Sequence, residues 1–276
     1  MGKIIAICNQ KGGTGKTTTS INLSAYLALA GKKVLLIDLD PQANATSGSG
    51  INKHNVQNSS YHLLLEEMDL KEIIQPTAVK NFFIAPSNLD LTGAEVELVG
   101  MLAREYRLKR VLAKEKENFD FIVIDSPPSL GLLTINALCA ADSVLIPVQC
   151  EYYALEGVTQ LSHTIKLIKE NLNPDLVIEG VLLTMADFRT NLTKEVINEA
   201  RNYFKDKVYK TVIPRNIRLT EAPSFGKPIA LYDNESIGAE KYEELAKEII
   251  GEKMSNLRLD ISQPEKPNLE EVKPGE

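Results

Sequence analysis

The sequence contains few cysteines and no long apolar run, and both shortages restrict the class of protein. Its three cysteines, Cys8, Cys139 and Cys150, are widely spaced and lie in apolar stretches. We expect buried thiols in a reducing cytosol, because disulfide frameworks and zinc sites need paired or closely spaced cysteines. No apolar run approaches the roughly 20 residues of a membrane-spanning helix, and the N-terminal MGKIIAIC is too short for a signal-peptide core. These absences predict a soluble cytoplasmic protein.

A uniformly basic surface is absent too. The chain has 31 Lys and Arg against 37 Asp and Glu, a formal charge of −6, so contact with nucleic acid needs a local patch. Residues 185–230 are the candidate, because nine Lys and Arg against five Asp and Glu give them a net charge of +4. No base-reading motif is present, so we expect contacts to the phosphates of nonspecific double-stranded DNA, weakened steeply by salt.

Short β-branched runs alternate with helical patterns, which predicts a single α/β domain over residues 1–250. The strands are almost continuously apolar, as expected for parallel strands covered on both faces. Their alternation with helices predicts a doubly wound, mostly parallel sheet with helices on both faces. The predicted strands are 3–8, 33–38, 82–86, 121–125, 143–148, 177–184 and 210–214, and the predicted helices are 16–30, 92–116, 130–140, 154–172, 192–204 and 238–250.

Residues 251–276 differ in composition from the rest. They include three prolines, no aromatic residue and many charges, which predicts a polar, disordered C-terminal tail. A membrane-binding amphipathic helix needs a basic face opposite bulky apolar residues. This segment has six acidic against four basic side chains and is interrupted by Pro264 and Pro267. We therefore expect no membrane binding.

The stretch NQKGGTGKTTT, residues 9–19, joins the first predicted strand to the first predicted helix. A glycine-rich turn in that position forms a phosphate-binding loop, whose N–H groups surround phosphate oxygens. Lys16 would add a positive charge at the β- and γ-phosphates, Thr17 would ligate Mg²⁺, and Thr18 would contact the α-phosphate. We thus predict Mg²⁺ and ATP as ligands, contacted by Lys11, Gly12, Gly13, Thr14, Gly15, Lys16, Thr17 and Thr18.

Lys11 is a second lysine at the start of this loop. The simple pattern G-x-x-x-x-G-K-[ST] is not met, because Gln10 stands where its first glycine belongs, and the sequence reads K-G-G-x-G-K-[ST] instead. Since Lys16 already serves the phosphates, Lys11 could project outward to a nucleotide bound by a second chain. A solvated surface lysine is the alternative.

Three aspartates lie at strand ends, where open α/β sheets bind their ligands. Asp38 and Asp40 stand at the end of the second predicted strand, and Asp125 ends the strand 121–125. We predict that Asp40 orients or deprotonates the water that attacks the γ-phosphate. Asp38 and Asp125 would hold Mg²⁺ through its water ligands. Turn or capping roles are the alternatives for Asp40 and Asp125.

Pro214 and Asn216 follow the last predicted strand at the same sheet edge. An asparagine amide can pair with the adenine edge through its donor and its acceptor together. We therefore predict that these two residues contact the base, with a turn role as the alternative for Asn216.

The chain resembles the ParA-type partition ATPases, in particular the short chromosomal form often called Soj. The resemblance runs from about residue 1 to residue 250. The phosphate loop alone is shared with MinD and nitrogenase iron protein, whereas the last two of the five matching segments narrow the resemblance to ParA/Soj. The five are KGGTGKTT (11–18), DLDPQANATSG (38–48), IDSPPSLGLLTINAL (124–138), PVQCEYYALEG (147–157) and VIPRNIRLTEAPSFGKP (212–228).

The resemblance implies a P-loop NTPase of the deviant Walker A type that forms a homodimer when ATP is bound. Lys11 would be the signature lysine, which in this family reaches the phosphate bound by the other subunit. Asp40 would act in hydrolysis from switch I, and the loop after Asp125 would be switch II. Turnover would be slow and stimulated by a partner, and the output would be chromosome or plasmid segregation.

The resemblance also implies two macromolecular partners. Arg189 and Arg218 match arginines that bind nonspecific DNA in this family, and Lys227 is a weaker candidate from the same basic segment; a solvated side chain is the alternative for each. The protein partner would be a ParB/Spo0J-type centromere-binding protein, whose basic N-terminal peptide stimulates hydrolysis. A nucleoid-associated location in the cytoplasm follows.

Four positions depart from the family pattern. Thr14 replaces a usual valine, Ser126 a common cysteine and Phe225 a common histidine, and none is expected to touch the chemistry. Ala43 replaces the glycine of DPQGN. If the backbone there needs a positive φ, Ala43 would cost about 1 kcal/mol or more and could alter switch I.

Three other functions share the nucleotide loop. A MinD-like membrane-cycling regulator of cell division would need an amphipathic C-terminal helix. An electron-transfer ATPase like nitrogenase iron protein would need cysteine ligands near the dimer axis, whereas Cys139 and Cys150 fit a buried helix end and a buried strand end better. A metabolic kinase would need an acceptor pocket, which the sequence does not reveal.

Overall fold

The computed structural model describes residues 2–151 and 154–251, with the backbone alone for 154–159. The polar tail predicted for 251–276 lies outside the described residues, apart from Gly251. The prediction of its disorder therefore stays a prediction.

An eight-stranded sheet forms the centre of the described chain. Its order is β3-β4-β2-β5-β1-β6-β7-β8, and every neighbouring pair is parallel except β3 with β4. This confirms the predicted mostly parallel sheet. The strands are β1 (Lys3–Ile7), β2 (Val34–Asp38), β3 (Gln75–Pro76), β4 (Phe82–Ala85), β5 (Phe121–Asp125), β6 (Ser143–Gln149), β7 (Val177–Ala186) and β8 (Val208–Pro214).

Helices cover both faces of this sheet, as predicted for a doubly wound fold. Alternation along β1 shows the two faces, because Ile4 and Ala6 join one buried cluster while Ile5 and Ile7 join the other. The helices are α1 (Lys16–Leu29), α2 (Asn44–Gly48), α3 (Ser60–Leu65), α4 (Leu91–Val99), α5 (Arg107–Glu115), α6 (Leu132–Ala140), α7 (Ala154–Asn171), α8 (Asn191–Phe204), α9 (Ile217–Glu221), α10 (Ile229–Tyr232) and α11 (Ile237–Ile250).

The single helix predicted over 92–116 is wrong, because the structure has two helices there, α4 and α5. Gly100 ends α4, and Ala103 has a left-handed φ of 50° that an α-helix cannot contain. The Arg104 guanidinium donates to the Val99 carbonyl (2.8 Å), which satisfies an acceptor at the end of α4. The short helices α2, α3, α9 and α10 and the strand β3 were not predicted, since so few residues carry no periodic pattern.

The last helix packs back onto the sheet and the first helix. The hydroxyl groups of Tyr242 and Thr19 lie 3.1 Å apart, which links α11 to α1. The Glu248 carboxylate accepts from the backbone N–H groups of Lys210 (2.8 Å) and Thr211 (3.2 Å). These contacts join the C-terminal helix to the edge strand β8.

The strand ends that carry the predicted site lie side by side. β1 has β5 on one side and β6 on the other, where the strand order reverses and doubly wound sheets form their ligand crevice. In the ladder, Asp125 pairs in register with Ile7 on β1 and with Asp38 on β2. The phosphate loop and two of the predicted aspartates are therefore neighbours at the crevice.

Candidate functional site

The glycine-rich loop between β1 and α1 has the backbone that its sequence predicts. Gly13 and Gly15 have positive φ values of 75° and 86°, which glycine adopts at little cost. A Cβ added at Gly12 or Gly13 would meet no atom within 4 Å, so the outer side of the loop is open to a ligand. The Thr184 hydroxyl donates to the Thr14 carbonyl (2.8 Å) and ties the loop to β7.

Lys16 is the buried cation of the loop. Its side chain begins α1, and the residue is only 6 % exposed. The Lys16 ammonium donates to the Lys11 carbonyl at 3.1 Å. Burial lowers the pKa of Lys16, while the charges of Asp125 and Asp40 act in the opposite direction. A buried ammonium with a lowered pKa is stabilised by an anion placed beside it, as a nucleotide phosphate would be.

Asp38 is held in place by its own loop. Its carboxylate accepts from the Thr46 backbone N–H (2.8 Å), the Thr46 hydroxyl (2.7 Å) and the Asp40 N–H (3.1 Å). Burial raises the pKa of Asp38 in spite of these donors. Asp40 is 8 % exposed, and its Oδ1 accepts from the Gln42 N–H at 2.9 Å. The loop thus fixes the Asp40 backbone and leaves its second carboxylate oxygen for a ligand or a water.

Asp125 is the most confined carboxylate of the site. The Ser20 hydroxyl donates to Oδ1 (2.8 Å), whereas Oδ2 is buried with no hydrogen-bond partner among the described residues. Burial raises the pKa of Asp125, the charge of Asp38 raises it further, and hydrogen bonds from Ser20 and Thr17 lower it. A buried carboxylate oxygen that lacks a donor fits a divalent cation or its water ligands, because either supplies the missing positive charge.

Lys11 lies at the rim of the same site. Its ammonium is 3.6 Å from Glu151 Oε2, and its side chain is 38 % exposed. Glu151 Oε1 is also 3.7 Å from the Arg215 guanidinium and accepts from the Gln149 side chain at 2.6 Å. Lys11 therefore points along the carboxyl edge of the sheet rather than into the pocket that Lys16 occupies.

A cavity of about 320 Å³ lies beside the loop. Pro214 and Asn216 are among the residues that line it, and their contact with a base stays a prediction. The Asn216 Oδ1 accepts from the Leu219 N–H (3.3 Å) and caps α9, whereas its amide N–H groups have no partner in the part of the chain that the structure describes. The full lining is Gly15, Thr18, Thr184, Met185, Ile213, Pro214, Arg215, Asn216, Leu219, Thr220, Pro223 and Tyr242.

The predicted DNA-binding residues follow β7 and β8 and are all on the surface. Arg189 makes a bidentate pair with Asp187 through one guanidinium edge, Nε to Oδ1 at 2.8 Å and Nη2 to Oδ2 at 2.7 Å. Arg218 contacts Glu221 at 3.0 Å and Asp233 at 3.2 Å. Lys227 is exposed.

Several residues that build the site were missed by sequence reasoning. Thr46 orients Asp38, Ser20 orients Asp125, Thr184 anchors the loop, and Glu151 binds Lys11. Ser20 lies one helical turn after Lys16, so its direction into the site could have been read from helical spacing. Thr184 and Glu151 come from distant parts of the chain and leave no local signal.

Other predictions concern the cysteines and the membrane. All three cysteines are free and buried, as predicted. Within the described residues, no group of three His, Cys, Asp or Glu side chains is arranged to hold a metal by itself. Within the same residues, no helix combines the length and the apolar character needed to cross a bilayer.

Comparisons with known proteins identify the family of the chain. A family model described as an AAA domain matches residues 2–178. The chain is 63 % identical over 249 residues to the sporulation initiation inhibitor protein Soj of Bacillus subtilis, covering 90 % of the chain and 98 % of the relative. It is 55 % identical over 250 residues to the chromosome partitioning protein ParA of Myxococcus xanthus, covering 91 % and 88 %.

A solved structure of another protein has a similar fold. Cobyrinic acid a,c-diamide synthase from Mycobacterium smegmatis, with bound ADP and magnesium, superimposes with a TM-score of 0.80. The two chains are 37 % identical, and the match covers 91 % of this chain and 94 % of the synthase.

Proposed function

The chain belongs to the ParA/Soj family of chromosome-partitioning proteins, and from this premise we propose that it is an ATP-driven switch for DNA segregation. Mg²⁺ and ATP bind at the loop after β1, and two chains close around two nucleotides. The dimer holds nonspecific double-stranded DNA at the nucleoid, and slow hydrolysis separates the chains and releases the DNA. A ParB/Spo0J-type protein stimulates that hydrolysis.

The arrangement of two lysines on one loop carries the proposal. Lys16 is buried close to Asp125 and Asp40, which supports a role for it at a phosphate bound in its own chain. Lys11 is at the rim, where its contact with Glu151 is long and partly solvated. Such a surface pair stabilises by about 1 kcal/mol at most. A phosphate presented by a second chain therefore competes readily for Lys11.

The residues around Asp125 fit a magnesium ion. Thr17 would ligate it directly, and Asp38 and Asp125 would hold its water ligands. The ADP and magnesium in the similar synthase support this assignment. When bound, the ion neutralises charge on the β- and γ-phosphates.

Asp40 would act on the attacking water. The Gln42 N–H binds one of its carboxylate oxygens, and the Ser87 hydroxyl binds its carbonyl at 2.8 Å. Only the remaining carboxylate oxygen is left to orient a water at the γ-phosphate. Lys11 and Lys16 would stabilise the charge that develops there.

DNA binding depends on the basic segment 185–230. Arg189, Arg218 and Lys227 lie on the surface after β7 and β8, and the segment has a net charge of +4 from nine basic and five acidic side chains. One chain offers few phosphate contacts. A dimer doubles the number, and each contact multiplies the affinity, so DNA binding becomes dependent on ATP.

Three variants test the proposal. Asp40→Ala saturated with Mg·ATP should be a dimer that binds plain duplex DNA without phosphate release, and Asp40→Ala/Lys11→Ala should stay monomeric. Lys16→Ala should not bind ATP. Lys80→Ala, an exposed lysine on the β3–β4 connection, is the matched control and should behave as wild type.

Light scattering after size exclusion gives the oligomeric state of each variant. Co-sedimentation with DNA or with liposomes shows which of the two the protein binds. An Asp40→Ala protein that remains monomeric with saturating Mg·ATP contradicts the proposal. Normal hydrolysis by that variant would show that Asp40 has another role. Co-sedimentation with liposomes instead of DNA would favour the MinD-like alternative.

A further inference from the structure

Exposed aromatic side chains are concentrated in the basic segment 185–230. Most of the aromatic residues that the structure describes are buried or half-buried. Within the same described residues three are well exposed, namely Phe188 (54 %), Tyr203 (60 %) and Phe225 (63 %), and all three belong to this segment. Ile217, which is 73 % exposed, belongs to it too. Scattered exposed apolar residues are ordinary, whereas a group of them in one basic part of the surface indicates a binding face.

Three of these apolar side chains are next, or next but one, in sequence to a cation proposed to bind DNA. The pairs are Phe188 with Arg189, Ile217 with Arg218, and Phe225 with Lys227. Both members of each pair are exposed. Consecutive Cα atoms are only about 3.8 Å apart. A duplex whose phosphates are held by these cations would therefore also cover the apolar side chains.

The ends of two neighbouring strands bring the first two pairs together. Ala186, the last residue of β7, pairs with Pro214, the last residue of β8. The Arg215 N–H also donates to the Ala186 carbonyl at 3.0 Å. Phe188 and Ile217 follow these strand ends by two and three residues. They therefore lie at the same edge of the sheet.

Phe225 joins the same surface through a series of side-chain contacts. Its ring packs against the Tyr232 ring, with the centroids 5.1 Å apart. The Tyr232 hydroxyl donates to Glu221 Oε2 at 3.1 Å, and this oxygen also accepts from the Arg218 guanidinium at 3.0 Å. Phe225 is thus linked through two side chains to Arg218, the residue after Ile217.

We propose that Phe188, Ile217 and Phe225, here called the apolar DNA surface, pack against sugars and base edges in a groove of duplex DNA while the neighbouring cations hold its phosphates. Proteins that bind DNA with little sequence preference use apolar side chains in the minor groove. Sugars occur at every base pair, so the contact does not depend on sequence. The inference rests on the proposed function, because it needs DNA as the ligand.

The arrangement of the surface favours DNA over a lipid bilayer. A membrane-binding face needs a continuous apolar stripe on an amphipathic element. Here Phe188 lies in the turn after β7, Ile217 begins the five-residue helix α9, and Phe225 ends a short 3-10 turn. Cations and their acidic partners separate the three side chains. A groove of DNA accepts such separate side chains between its phosphate contacts.

Apolar contacts would add a part of the DNA affinity that salt does not weaken. Phosphate contacts set the slope of log K against log salt. Burial of apolar surface instead changes the affinity by the same factor at each salt concentration. Loss of an apolar side chain should therefore shift the whole line downward and keep its slope, whereas loss of a cation should change the slope.

The test measures the affinity of the full chain for a labelled random-sequence duplex over a salt series, with saturating Mg²⁺ and a non-hydrolysable ATP analogue. Phe188→Ala/Ile217→Ala should bind the duplex about tenfold or more weakly at every salt concentration, because a dimer loses four such side chains. Its slope and its Tm should equal those of the wild type. Phe225→Ala should show a smaller parallel loss. Arg189→Gln should instead reduce the slope by up to about 1.8, for two arginines in a dimer.

The controls are a matched residue and a matched ligand. Tyr203 is an equally exposed aromatic residue of the same basic segment. It lies in the last turn of α8, at the amino end of β8, roughly 20 Å along that strand from the apolar DNA surface. Tyr203→Ala should bind the duplex as the wild type does. Inorganic polyphosphate, which has phosphates but no sugars or bases, should compete equally for the wild type and for Phe188→Ala/Ile217→Ala.

Wild-type affinity of Phe188→Ala/Ile217→Ala for the duplex, or an equal loss in Tyr203→Ala, would overturn the inference and leave the proposed function intact. Weaker binding of polyphosphate by the double variant would also overturn it, because the substitutions would then have disturbed the cations.

Two outcomes would overturn the inference in favour of another occupant. Loss of ATP-dependent dimerisation in the double variant, seen by light scattering, would assign the surface to a second copy of the chain. Co-sedimentation of the wild type, but not of the double variant, with liposomes would assign it to a membrane. If the wild-type protein with bound nucleotide does not bind the duplex, the proposed DNA ligand itself is wrong, and this is visible before any variant is compared.

Discussion

Asp187→Asn tests most directly whether Arg189 binds DNA. In the structure, one edge of the Arg189 guanidinium, formed by Nε and Nη2, is occupied by the Asp187 carboxylate, at 2.8 and 2.7 Å. The pair lowers the pKa of Asp187 to about 2, so the carboxylate is charged at every working pH. A DNA phosphate must therefore bind the remaining Nη edge beside this carboxylate or displace it. Asparagine keeps Oδ1 for the Arg189 N–H, which it accepts at 3.1 Å, but it removes the negative charge and the oxygen that accepts from Nη2.

The magnitude follows from counterion release. Each phosphate contact adds about 0.9 to the slope of log K against log salt. One arginine freed in each chain gives two in a dimer, so the slope should steepen by up to about 1.8. Between 200 and 50 mM salt, the affinity advantage of Asp187→Asn over wild type should then grow by up to about twelvefold.

The assay is fluorescence anisotropy of a labelled random-sequence duplex with the ATP-bound dimer, measured over a salt series. Asp206→Asn is the matched control, because Asp206 lies in the same basic segment and changes the net charge equally. Arg189→Gln should weaken DNA binding both in the wild-type protein and in Asp187→Asn. If Asp187→Asn and Asp206→Asn strengthen binding equally, the effect is one of overall charge, and the assignment of Arg189 is refuted.

Two further predictions concern the loops of the nucleotide site. Ala43 has a left-handed φ of 54° and is 1 % exposed. Ala43→Gly should relieve about 1–2 kcal/mol of backbone strain. Against this, the variant loses about 0.8 kcal/mol from burial of the methyl group and up to about 1 kcal/mol because glycine makes the unfolded chain more flexible. The free energy of unfolding of Ala43→Gly, measured in urea, should stay within about 1 kcal/mol of the wild-type value. That of Ala43→Val should be lower than wild type by more than about 2 kcal/mol, because a β-branched residue fits a left-handed φ poorly. A strongly destabilised glycine variant would show that the strain at Ala43 is minor. Glu151→Gln removes the carboxylate near Lys11 and should lower the protein concentration for ATP-dependent dimerisation by up to about 25-fold, because a dimer contains two such surface pairs and each contributes up to about fivefold. Analytical ultracentrifugation with Lys11→Ala as the negative control measures this, and weaker dimerisation of Glu151→Gln would mean that Glu151 serves the dimer instead of restraining Lys11.

The elements of the fold could be predicted where a short run of the sequence has a clear pattern of apolar residues. Strands that are buried on both faces are continuously apolar, and seven of them were located from the sequence. The break between α4 and α5 was not, because the exposed Val96, Val99 and Leu102 continue the apolar spacing through a turn. Apolar residues on a solvent-facing surface are indistinguishable from core residues in a periodicity argument.

The parts of the candidate site that lie at strand ends or in the glycine-rich loop could be predicted from the sequence. The loop after β1 and the aspartates Asp38, Asp40 and Asp125 follow from those signals, and the structure brings them together. The contacts that set their chemistry come from afar in sequence, as with Thr184 on Thr14. Ala43 lies between these cases, since a departure from the family glycine predicted a strained position and the structure has a positive φ there.

Three of the cations proposed to bind phosphates, Lys11, Arg189 and Arg218, share one property that the sequence does not reveal. Lys11 is near Glu151 (3.6 Å), Arg189 is bound to Asp187, and Arg218 lies between Glu221 (3.0 Å) and Asp233 (3.2 Å). Binding to ATP across a dimer, or to DNA, then exchanges a carboxylate for a phosphate at each cation instead of engaging a free charge. An exchange gains less free energy than a new ion pair, because the existing pair between the cation and its carboxylate is lost.

Weak individual exchanges are what a reversible switch requires. A chain with strong, unopposed arginines would hold DNA as a monomer, and ATP would then have little influence on DNA affinity. When each contact is weak, affinity rises steeply only when a dimer makes many contacts at once. Loss of the nucleotide halves the number of contacts and releases the DNA. The acidic partners of Lys11, Arg189 and Arg218 are thus as much a part of the proposed switch as the basic side chains themselves.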